Sequence, residues 1–586
     1  MLPNSLLPTL LPKPQFKAVI LAGYGIDLFP LVEPPTPSTS TTNNSNSGTN
    51  SNENESTSST GSGGGQTKAL LPVGGKKMID WVIEQIESAG ILEVLVLTPQ
   101  SISKPMSHHL RSRRSTTSKD SGSSKVELEE IPEEIASRGT VRVLMWATEK
   151  SLITTDFILL PCDLLLSPSS SSSSSSSSGI SLASLLDRHR TDDNLVTTLF
   201  STRSSGNIKD AKKDQQGPVE ILTVYDRSSC RLLDVREMDD LEDQDEIPLR
   251  TSLLTKYPKP TLTTSLLPTQ LYIFSSLILP VLRTAAAGQS EPDDEMLRRL
   301  KSFESVKDLV GWLARSNWRK NGKQDLSNFS RKIAPRRNSN SNSSSSRVGG
   351  GGSELAMGRS TTQLPSSYEY LNQSTKHTSV SRSEPQTPGT TTPTPALISR
   401  TSWLNESNSI NTTTTTTTHG TTTNSSSSNM ARQGRGGCKV LIWKESDGFC
   451  ARGNTVSGFV ELNRAALKLL PPSQTNFIPT FTPPGVFISP DSFLHPTVYT
   501  LMGEKVGIKK CIIGKNCQIG KNSKLTNSVL MEGCVIGENV KLDNCVISNG
   551  VQTRDRASLK DCELGKDVIV GSDSQLKGEQ LTVGDE

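Results

Sequence analysis

Aromatic residues are scarce in this sequence of 586 residues: they make up 4% of it, and all hydrophobic residues together make up 33%. Even with glycine included, the apolar share is about 40%, whereas folded domains usually have about 45 to 50%. This deficit predicts that part of the chain cannot bury a core and stays disordered. The length still predicts two or more domains, because single cores rarely grow past about 250 to 300 residues.

An excess of charge of either sign is also missing, since 63 basic residues face 59 acidic ones. That balance creates no strong field for nucleic acid or membrane binding. The sequence has no run of 18 apolar residues, and its proline-containing N-terminus has no basic segment ahead of an apolar core. Neither a membrane span nor a secretion signal is predicted. We expect a cytosolic protein without direct nucleic-acid or membrane partners, and nuclear residence stays open.

The nine cysteines are odd in number, include no CxxC pair and have no histidines at ligand spacing. This pattern argues against a disulfide framework and against a zinc site. We therefore expect a reducing compartment and no bound metal.

Three polar tracts interrupt the sequence: an insertion at 34–66, a polyserine loop at 168–179 and a linker at 331–436. They carry too few apolar side chains to offset an ordering cost of roughly 1 to 2 kcal/mol per residue, so we predict that all three are disordered. Loop expansion is the simplest interpretation. The Ser-Pro and Thr-Pro steps in RSEPQTPGTTTPTP leave phosphorylation open.

Residues 16–330 alternate strand and helix patterns, which indicates a Rossmann-like α/β domain. KAVILAG and EVLVLT are apolar strands, and the helix between them has apolar residues at Ile79, Val82, Ile83 and Ile86. Strands separated by helices predict a parallel sheet that is covered on both faces. Ligands of such sheets bind at the carboxyl ends of the strands.

Residues 485–586 form a second domain with a hexapeptide texture. An aliphatic residue followed by a small or polar one recurs at spacings of 7, 6, 6, 6, 5 and 6. The aliphatic positions are Val506, Ile513, Ile519, Leu525, Met531, Ile536 and Leu542. This period is typical of a left-handed parallel β-helix whose aliphatic side chains point inward. The repeat from Val506 to Gly571 predicts about 3.7 turns of three hexapeptides.

Four cysteines of this repeat, Cys511, Cys517, Cys534 and Cys545, are interpreted as small buried residues rather than as metal ligands. Glycine and asparagine at the corners tolerate a positive φ angle. Because stacked coils have open ends, such a short prism is expected to complete its burial against another chain.

The first strand runs into LAGYGIDLFPL (Leu21–Leu31), and TKALLPV (Thr67–Val73) follows the first insertion. A glycine-rich turn lets backbone N–H groups approach a triphosphate, and a cation then neutralises the departing pyrophosphate. The two stretches resemble the LAGGxGTRLxPL and PKxLLPV patterns of the nucleotidyltransferase-like domain of sugar-nucleotide pyrophosphorylases. Asp27 stands at the arginine position and would repel phosphate, so no transferase activity is expected.

The resemblance implies six vestigial nucleotide contacts: Gly23, Gly25, Lys68, Gly139, Thr140 and Asp163. Thr140 would be a helix N-cap whose neighbouring N–H groups face the nucleotide. Asp163 matches the aspartate that holds Mg²⁺ in active enzymes, but no second acid is evident, so it is alternatively a strand-end turn cap. The resemblance implies no catalytic residue, metal or cofactor in this chain.

The two domains together resemble GDP-mannose pyrophosphorylases and the gamma and epsilon subunits of translation initiation factor 2B. SSCRLLDV, SLLPTQLYIFS, SFESVKDLVGWLARSNW and GFCARGNTVSGFVELNR favour the gamma type, the last lying in a segment at 437–480 that bridges to the β-helix. Epsilon subunits continue into a helical-repeat domain that carries nucleotide exchange. This sequence ends at Glu586, 15 residues after Gly571, which also favours gamma.

The resemblance implies a non-catalytic subunit that pairs with the epsilon subunit and assembles with the alpha, beta and delta subunits. It would support GDP/GTP exchange on initiation factor 2. Two alternatives stay open: an active GDP-mannose-type sugar-nucleotide pyrophosphorylase and a regulatory subunit of such an enzyme.

Overall fold

The computed structural model describes residues 16–32, 66–116, 124–168, 180–202, 220–242, 247, 249–286, 295–316, 437–470 and 482–584. The three tracts predicted to be disordered lie outside these residues, apart from Gln66 and Pro168 at their borders. No helix in the described part is long and apolar enough to cross a membrane.

The α/β part is built on a mixed sheet. Its strands and those around it are β1 (Lys17–Leu21), β2 (Pro72–Val73), β3 (Lys76–Lys77), β4 (Glu93–Pro99), β5 (Lys125–Ile131), β6 (Phe157–Pro161), β7 (Leu164–Pro168), β8 (Val196–Thr202), β9 (Ile221–Asp226), β10 (Arg231–Glu237), β11 (Pro260–Thr263), β12 (Leu266–Phe274), β13 (Cys438–Trp443) and β14 (Gly448–Arg452). Ten of these strands form one sheet in the order β11-β9-β10-β13-β8-β12-β6-β1-β4-β5.

Helices cover this sheet and link its strands. Their bounds are α1 (Met78–Ser88), α2 (Gln100–Thr116), α3 (Glu133–Ala136), α4 (Thr140–Glu149), α5 (Leu182–Thr191), α6 (Asp239–Glu242), α7 (Thr251–Lys256), α8 (Leu279–Ala286), α9 (Glu295–Ser302), α10 (Val306–Ser316) and α11 (Val456–Leu469).

The sheet has a separate apolar core on each face, as the sequence predicted. Along β1, Val19 belongs to one core, which includes α4, α8 and α10, whereas Ala18 and Ile20 belong to the other, which includes α1 and α5. This alternation follows from the two-residue period of a strand. The predicted apolar side of α1 is confirmed as buried.

The predicted parallel pairing holds for only part of the sheet. Strands β4, β1 and β6 are parallel, but β12 runs antiparallel to both β6 and β8. Strand β9 pairs antiparallel with both β10 and β11, and the short turn 227–230 joins β9 directly to β10.

The segment 437–480 does more than bridge two domains. Its strand β13 inserts between β8 and β10 and pairs with β8 in parallel over six residues, from Cys438 to Trp443. Cys438, Val440, Leu441 and Trp443 are buried, as is typical of an apolar strand inside a sheet rather than at its edge. The α/β domain therefore takes in chain from after the 331–436 linker.

The C-terminal part is a β-helix with three faces. Its strands are β15 (Phe487–Ile488), β16 (Phe493–Leu494), β17 (Gly507–Lys509), β18 (Ile512–Ile513), β19 (Gln518–Ile519), β20 (Lys524–Thr526), β21 (Val529–Leu530), β22 (Val535–Ile536), β23 (Lys541–Asp543), β24 (Val546–Ile547), β25 (Gln552–Thr553), β26 (Ser558–Lys560), β27 (Glu563–Leu564), β28 (Ile569–Val570), β29 (Gln575–Lys577) and β30 (Gln580–Leu581).

These strands stack in parallel into three sheets that define the faces. The first face is β15-β17-β20-β23-β26-β29, the second is β16-β18-β21-β24-β27-β30, and the third is β19-β22-β25-β28. The stack begins at Phe487, well before Val506, so the prism is longer than the 3.7 turns or so that the repeat suggested.

The turn of this prism is 17 residues long rather than 18. Lys524 pairs with Lys541, and Lys541 with Ser558, each 17 positions further along. One side of each turn is thus a residue short, which shifts the inward positions. Ile513, Ile519 and Ile536 point inward as predicted. The assignment of Met531 to the interior is wrong, because Leu530 fills that place.

The asparagine corners and the cysteines follow the sequence interpretation. Asn516, Asn522, Asn527, Asn539 and Asn544 all have φ between 52° and 57°, the left-handed conformation that asparagine tolerates. Cys511, Cys517, Cys534 and Cys545 are fully buried within the apolar column of the prism.

The second face of the prism packs against the α/β domain of the same chain. Its outward side chains Phe493, Ile512, Val529 and Val546 join a buried cluster with Phe459 and other apolar residues of α11. Met531 lies in this cluster too, which explains why it faces outward. Lys77 adds an ion pair to Glu532 at 2.8 Å. The expectation that outer faces await another chain therefore does not hold for this face.

We predict that Val529→Asp weakens this contact between the two domains. Val529 is 4% exposed in the cluster, so an aspartate there would bury a charge without a partner. The matched control is Val535→Asp on the third face, where the valine is half-buried. The midpoint temperature of thermal unfolding should fall clearly for Val529→Asp and little for Val535→Asp. Equal drops would show that the second face contributes no docking energy.

Candidate nucleotide-binding cleft

The candidate cleft lies beyond the carboxyl end of β1. Gly25 has φ of 80°, and a single 3-10 turn from Ile26 to Leu28 follows it. Asp27 is exposed in that turn, and Gly23 is exposed just before it. The glycine turn of the sequence motif is therefore present, with an acid where the related enzymes carry arginine.

Lys68 closes over this turn instead of reaching into an open cleft. A Cβ atom added to Gly25 would lie 2.7 Å from the Cβ atom of Lys68, so only glycine fits beside the lysine stem. Lys68 is 8% exposed, and its Nζ atom lies 2.7 Å from an Oδ2 atom of Asp163.

Asp163 follows β6 and is held by a second cation that the sequence did not reveal. The Nε and Nη2 atoms of Arg452 donate to Oδ1 at 3.2 and 3.1 Å, and Nη2 also reaches Oδ2 at 3.1 Å. Strand β14 pairs antiparallel with β7 and so brings Arg452 opposite Leu164. The backbone N–H of Gly453 donates to the carbonyl of Asp163 at 2.9 Å, which fixes this approach.

The side chain of Asp163 has no measurable exposure. Burial alone would raise the pKa of this carboxyl group, but the positive charges of Arg452 and Lys68 outweigh burial and hold the pKa at about 2. Two cations and one carboxylate leave the group with a net positive charge. We call Lys68, Asp163 and Arg452 the ion triad.

The ion triad occupies the place where the family pattern puts Mg²⁺. Both carboxylate oxygens of Asp163 already accept bonds from cations, whereas magnesium needs several free oxygen ligands. The cavity beside Asp163, lined in part by Val73 and Met78, has a volume of about 10 Å³, enough for one water at most. Within the described residues, no three or more His, Cys, Asp and Glu side chains are grouped to hold a metal ion.

Gly139 and Thr140 do not join the ion triad. Gly139, with φ of 95°, is the N-cap of α4, and Thr140 is its first helical residue, so the prediction of Thr140 as N-cap is wrong by one position. The N–H of Val141 donates to the carbonyl of Glu304 at 3.1 Å, and the Thr140 hydroxyl accepts from the N–H of Val306. This helix N-terminus is thus bonded to the chain before α10.

The structure brings Gly25, Lys68 and Asp163 together, as the motif predicted. Arg452 is the residue that the sequence interpretation missed. Arg452 lies 289 positions from Asp163, within GFCARGNTVSGFVELNR, a stretch that indicated only a family resemblance. The one available signal was the apolar run CKVLIW, which predicts a strand and hence a return of the chain to the sheet.

Comparisons with known proteins agree with this architecture. Residues 58–214 match the family model of the MobA-like NTP transferase domain. Residues 493–576 match the model of the EIF2B subunit epsilon LbH domain, a left-handed β-helix.

A curated relative, the translation initiation factor eIF2B subunit gamma of Schizosaccharomyces pombe, is 22% identical over 310 residues. The match covers 52% of this chain and 52% of the relative, so the chain spans about half the length of the protein it matches. This relative is a gamma subunit, whereas the family model that the β-helix matches is named for the epsilon subunit. Together these matches support a nucleotidyltransferase-like protein related to the subunits of initiation factor 2B.

Proposed function

We propose that this chain is a gamma-type, non-catalytic subunit of a cytosolic translation initiation factor 2B complex. The observation that carries the proposal is the ion triad. In a working transferase, the aspartate after this strand binds metal and the lysine binds substrate. Here Lys68 and Arg452 neutralise Asp163 within the protein itself, so neither charge is free for a nucleotide.

The glycine turn supports the same proposal, because Asp27 stands where the family pattern has an arginine. Asp27 places a negative charge in the turn that should stabilise the departing pyrophosphate. Breaking the buried ion pairs of Asp163 to admit substrate would cost several kcal/mol. The chain therefore retains the α/β fold, but its own side chains close the cleft.

The proposed role is to position the epsilon subunit, which would carry out GDP release on initiation factor 2. The alpha, beta and delta subunits would complete the assembly, and the chain would need no cofactor. The gamma assignment rests on the gamma-type relative and on the motifs of the α/β domain, whereas the β-helix matches an epsilon-type model.

The alternative of an active GDP-mannose-type pyrophosphorylase is tested by incubating the purified chain with Mg²⁺, pyrophosphate and a panel of nucleotide sugars. We expect no turnover. Rates near the typical enzyme value of about 1 per second or more would contradict a non-catalytic role. The other alternative, a regulatory subunit of such an enzyme, is separated by mass spectrometry of co-purified proteins. We expect initiation factor 2B subunits and no pyrophosphorylase.

A further inference from the structure

The first face of the β-helix carries a concentration of positive charge. In each three-residue strand of this face the middle side chain points inward, so both flanking side chains point outward. Five of these outward positions are lysines: Lys509, Lys524, Lys541, Lys560 and Lys577. We call them the lysine face.

The other two faces contrast with the lysine face. The second face presents Phe493, Ile512, Val529 and Val546 to the α/β domain. The third presents Gln518, Val535, Gln552 and Ile569, without a charge. Positive charge on the flat faces is thus gathered on one side, where Asp543 is the single acid among the outward residues of the three-residue strands, and the second face adds one outward acid, Glu563.

These lysines stand next to one another at a cost in stability. Lys524 is in register with Lys541, and Lys560 with Lys577, on strands about 4.8 Å apart, whereas the other neighbour of Lys560 is Asp543. Like charges directly opposite on neighbouring strands are destabilising. Within the described part of the chain, none of the five lysines forms an ion pair that would offset this repulsion.

Phe487 adds an apolar anchor at one end of the same face. It is 56% exposed, and the Nζ atom of Lys509 lies 5.7 Å from its ring centroid. Aromatic side chains are enriched at protein interfaces, where a few residues carry most of the affinity.

We propose that the lysine face docks an acidic surface of a partner protein. Five lysines against one aspartate give the face a net charge of +4, which excludes docking of the face against itself in a second copy. The corners that border the face carry acids such as Glu538 and Asp561. These acids would repel a continuous polyphosphate chain laid across the face. A protein, in contrast, can place separate carboxylates over the lysines and avoid the acids.

The test is to measure binding of a short, fluorescently labelled, glutamate-rich peptide to the full chain. The variant Lys524→Gln/Lys541→Gln/Lys560→Gln should bind the peptide about tenfold more weakly, because exposed charges contribute modestly but jointly to affinity. The control variant Lys468→Gln/Lys515→Gln/Lys521→Gln removes the same charge from exposed sites elsewhere. It should bind like the unmodified chain.

Thermal unfolding of each variant shows whether weaker peptide binding results from a loss of the folded structure. Removing stacked lysines relieves repulsion, so the lysine-face variant should unfold at the same temperature as the unmodified chain or higher. Equal loss of peptide binding in both variants, or no binding by the unmodified chain, would overturn the proposal. Tighter binding of single-stranded RNA with the same net charge, through the same lysines, would assign the face to nucleic acid instead. The lysine face would act in this way whether or not the chain joins an initiation factor complex.

Discussion

Asp163→Asn should lower the free energy of unfolding by about 3 to 5 kcal/mol, because it leaves two cations in a buried site without their counter-ion. Lys68 and Arg452 would then repel each other where their side chains are only 10% and 15% exposed. Denaturant unfolding of the full chain measures the effect. The α/β domain should lose stability first, since Asp163 joins β6, β14 and the glycine turn.

The matched control removes the whole ion triad at once. A Lys68→Met/Asp163→Leu/Arg452→Met variant leaves no charge behind, and such replacements are often neutral. It should be clearly more stable than Asp163→Asn. If both variants were equally unstable, apolar packing and not charge pairing would hold this site. If Asp163→Asn were as stable as the unmodified chain, the ion triad would not exist in solution.

Protonation of Asp163 should lower the free energy of unfolding at low pH. Its pKa in the folded chain is about 2, below the ordinary value of 3.8, so its contribution is present above about pH 4 and is lost as the pH falls toward 2. A shift of this size corresponds to about 2 kcal/mol. Between pH 4 and pH 2, Asp163→Asn should therefore lose less stability than the unmodified chain.

Ile519→Asp should unfold the β-helix. Ile519 is 2% exposed inside the prism, where an aspartate would find no partner, and burial of an unpaired charge costs several kcal/mol. Because each coil contacts only its neighbours, damage in the coil of Ile519 interrupts the stack near its start. Circular dichroism and limited proteolysis of the C-terminal part measure the loss.

Lys521→Glu provides the comparison for this substitution. Lys521 is exposed, two positions from Ile519, so reversing its charge should change the unfolding temperature little. A β-helix that tolerates Ile519→Asp as well as Lys521→Glu would contradict the inward orientation of the aliphatic column. Co-purification of an epsilon partner at normal yield with Ile519→Asp would show that the α/β domain carries assembly alone.

Local patterns in the sequence were enough to predict both domains. The strand from Lys17 to Leu21 and the buried positions of α1 follow from hydrophobic periodicity, which depends only on nearby residues. The hexapeptide texture predicted the β-helix for a similar reason. Its shorter turn escaped detection because Leu530 and Met531 are both apolar, and only the stacking register shows which of them points inward.

Contacts over long separations could not be predicted in this way. Arg452 reaches Asp163 only because β13 returns the chain to the sheet and β14 then pairs with β7. Nothing in the local sequence of either residue specifies that partner. The docking of the second face on α11 is likewise a property of two surfaces, visible in the sequence only as outward apolar residues such as Val529.

The most direct test of the central claim is the rate of GDP release from initiation factor 2 by an epsilon subunit, measured with and without an equimolar amount of this chain. We expect faster release when the chain is added and no release by the chain alone. An unchanged rate, although the two proteins co-purify, or GDP release by this chain without epsilon, would contradict it.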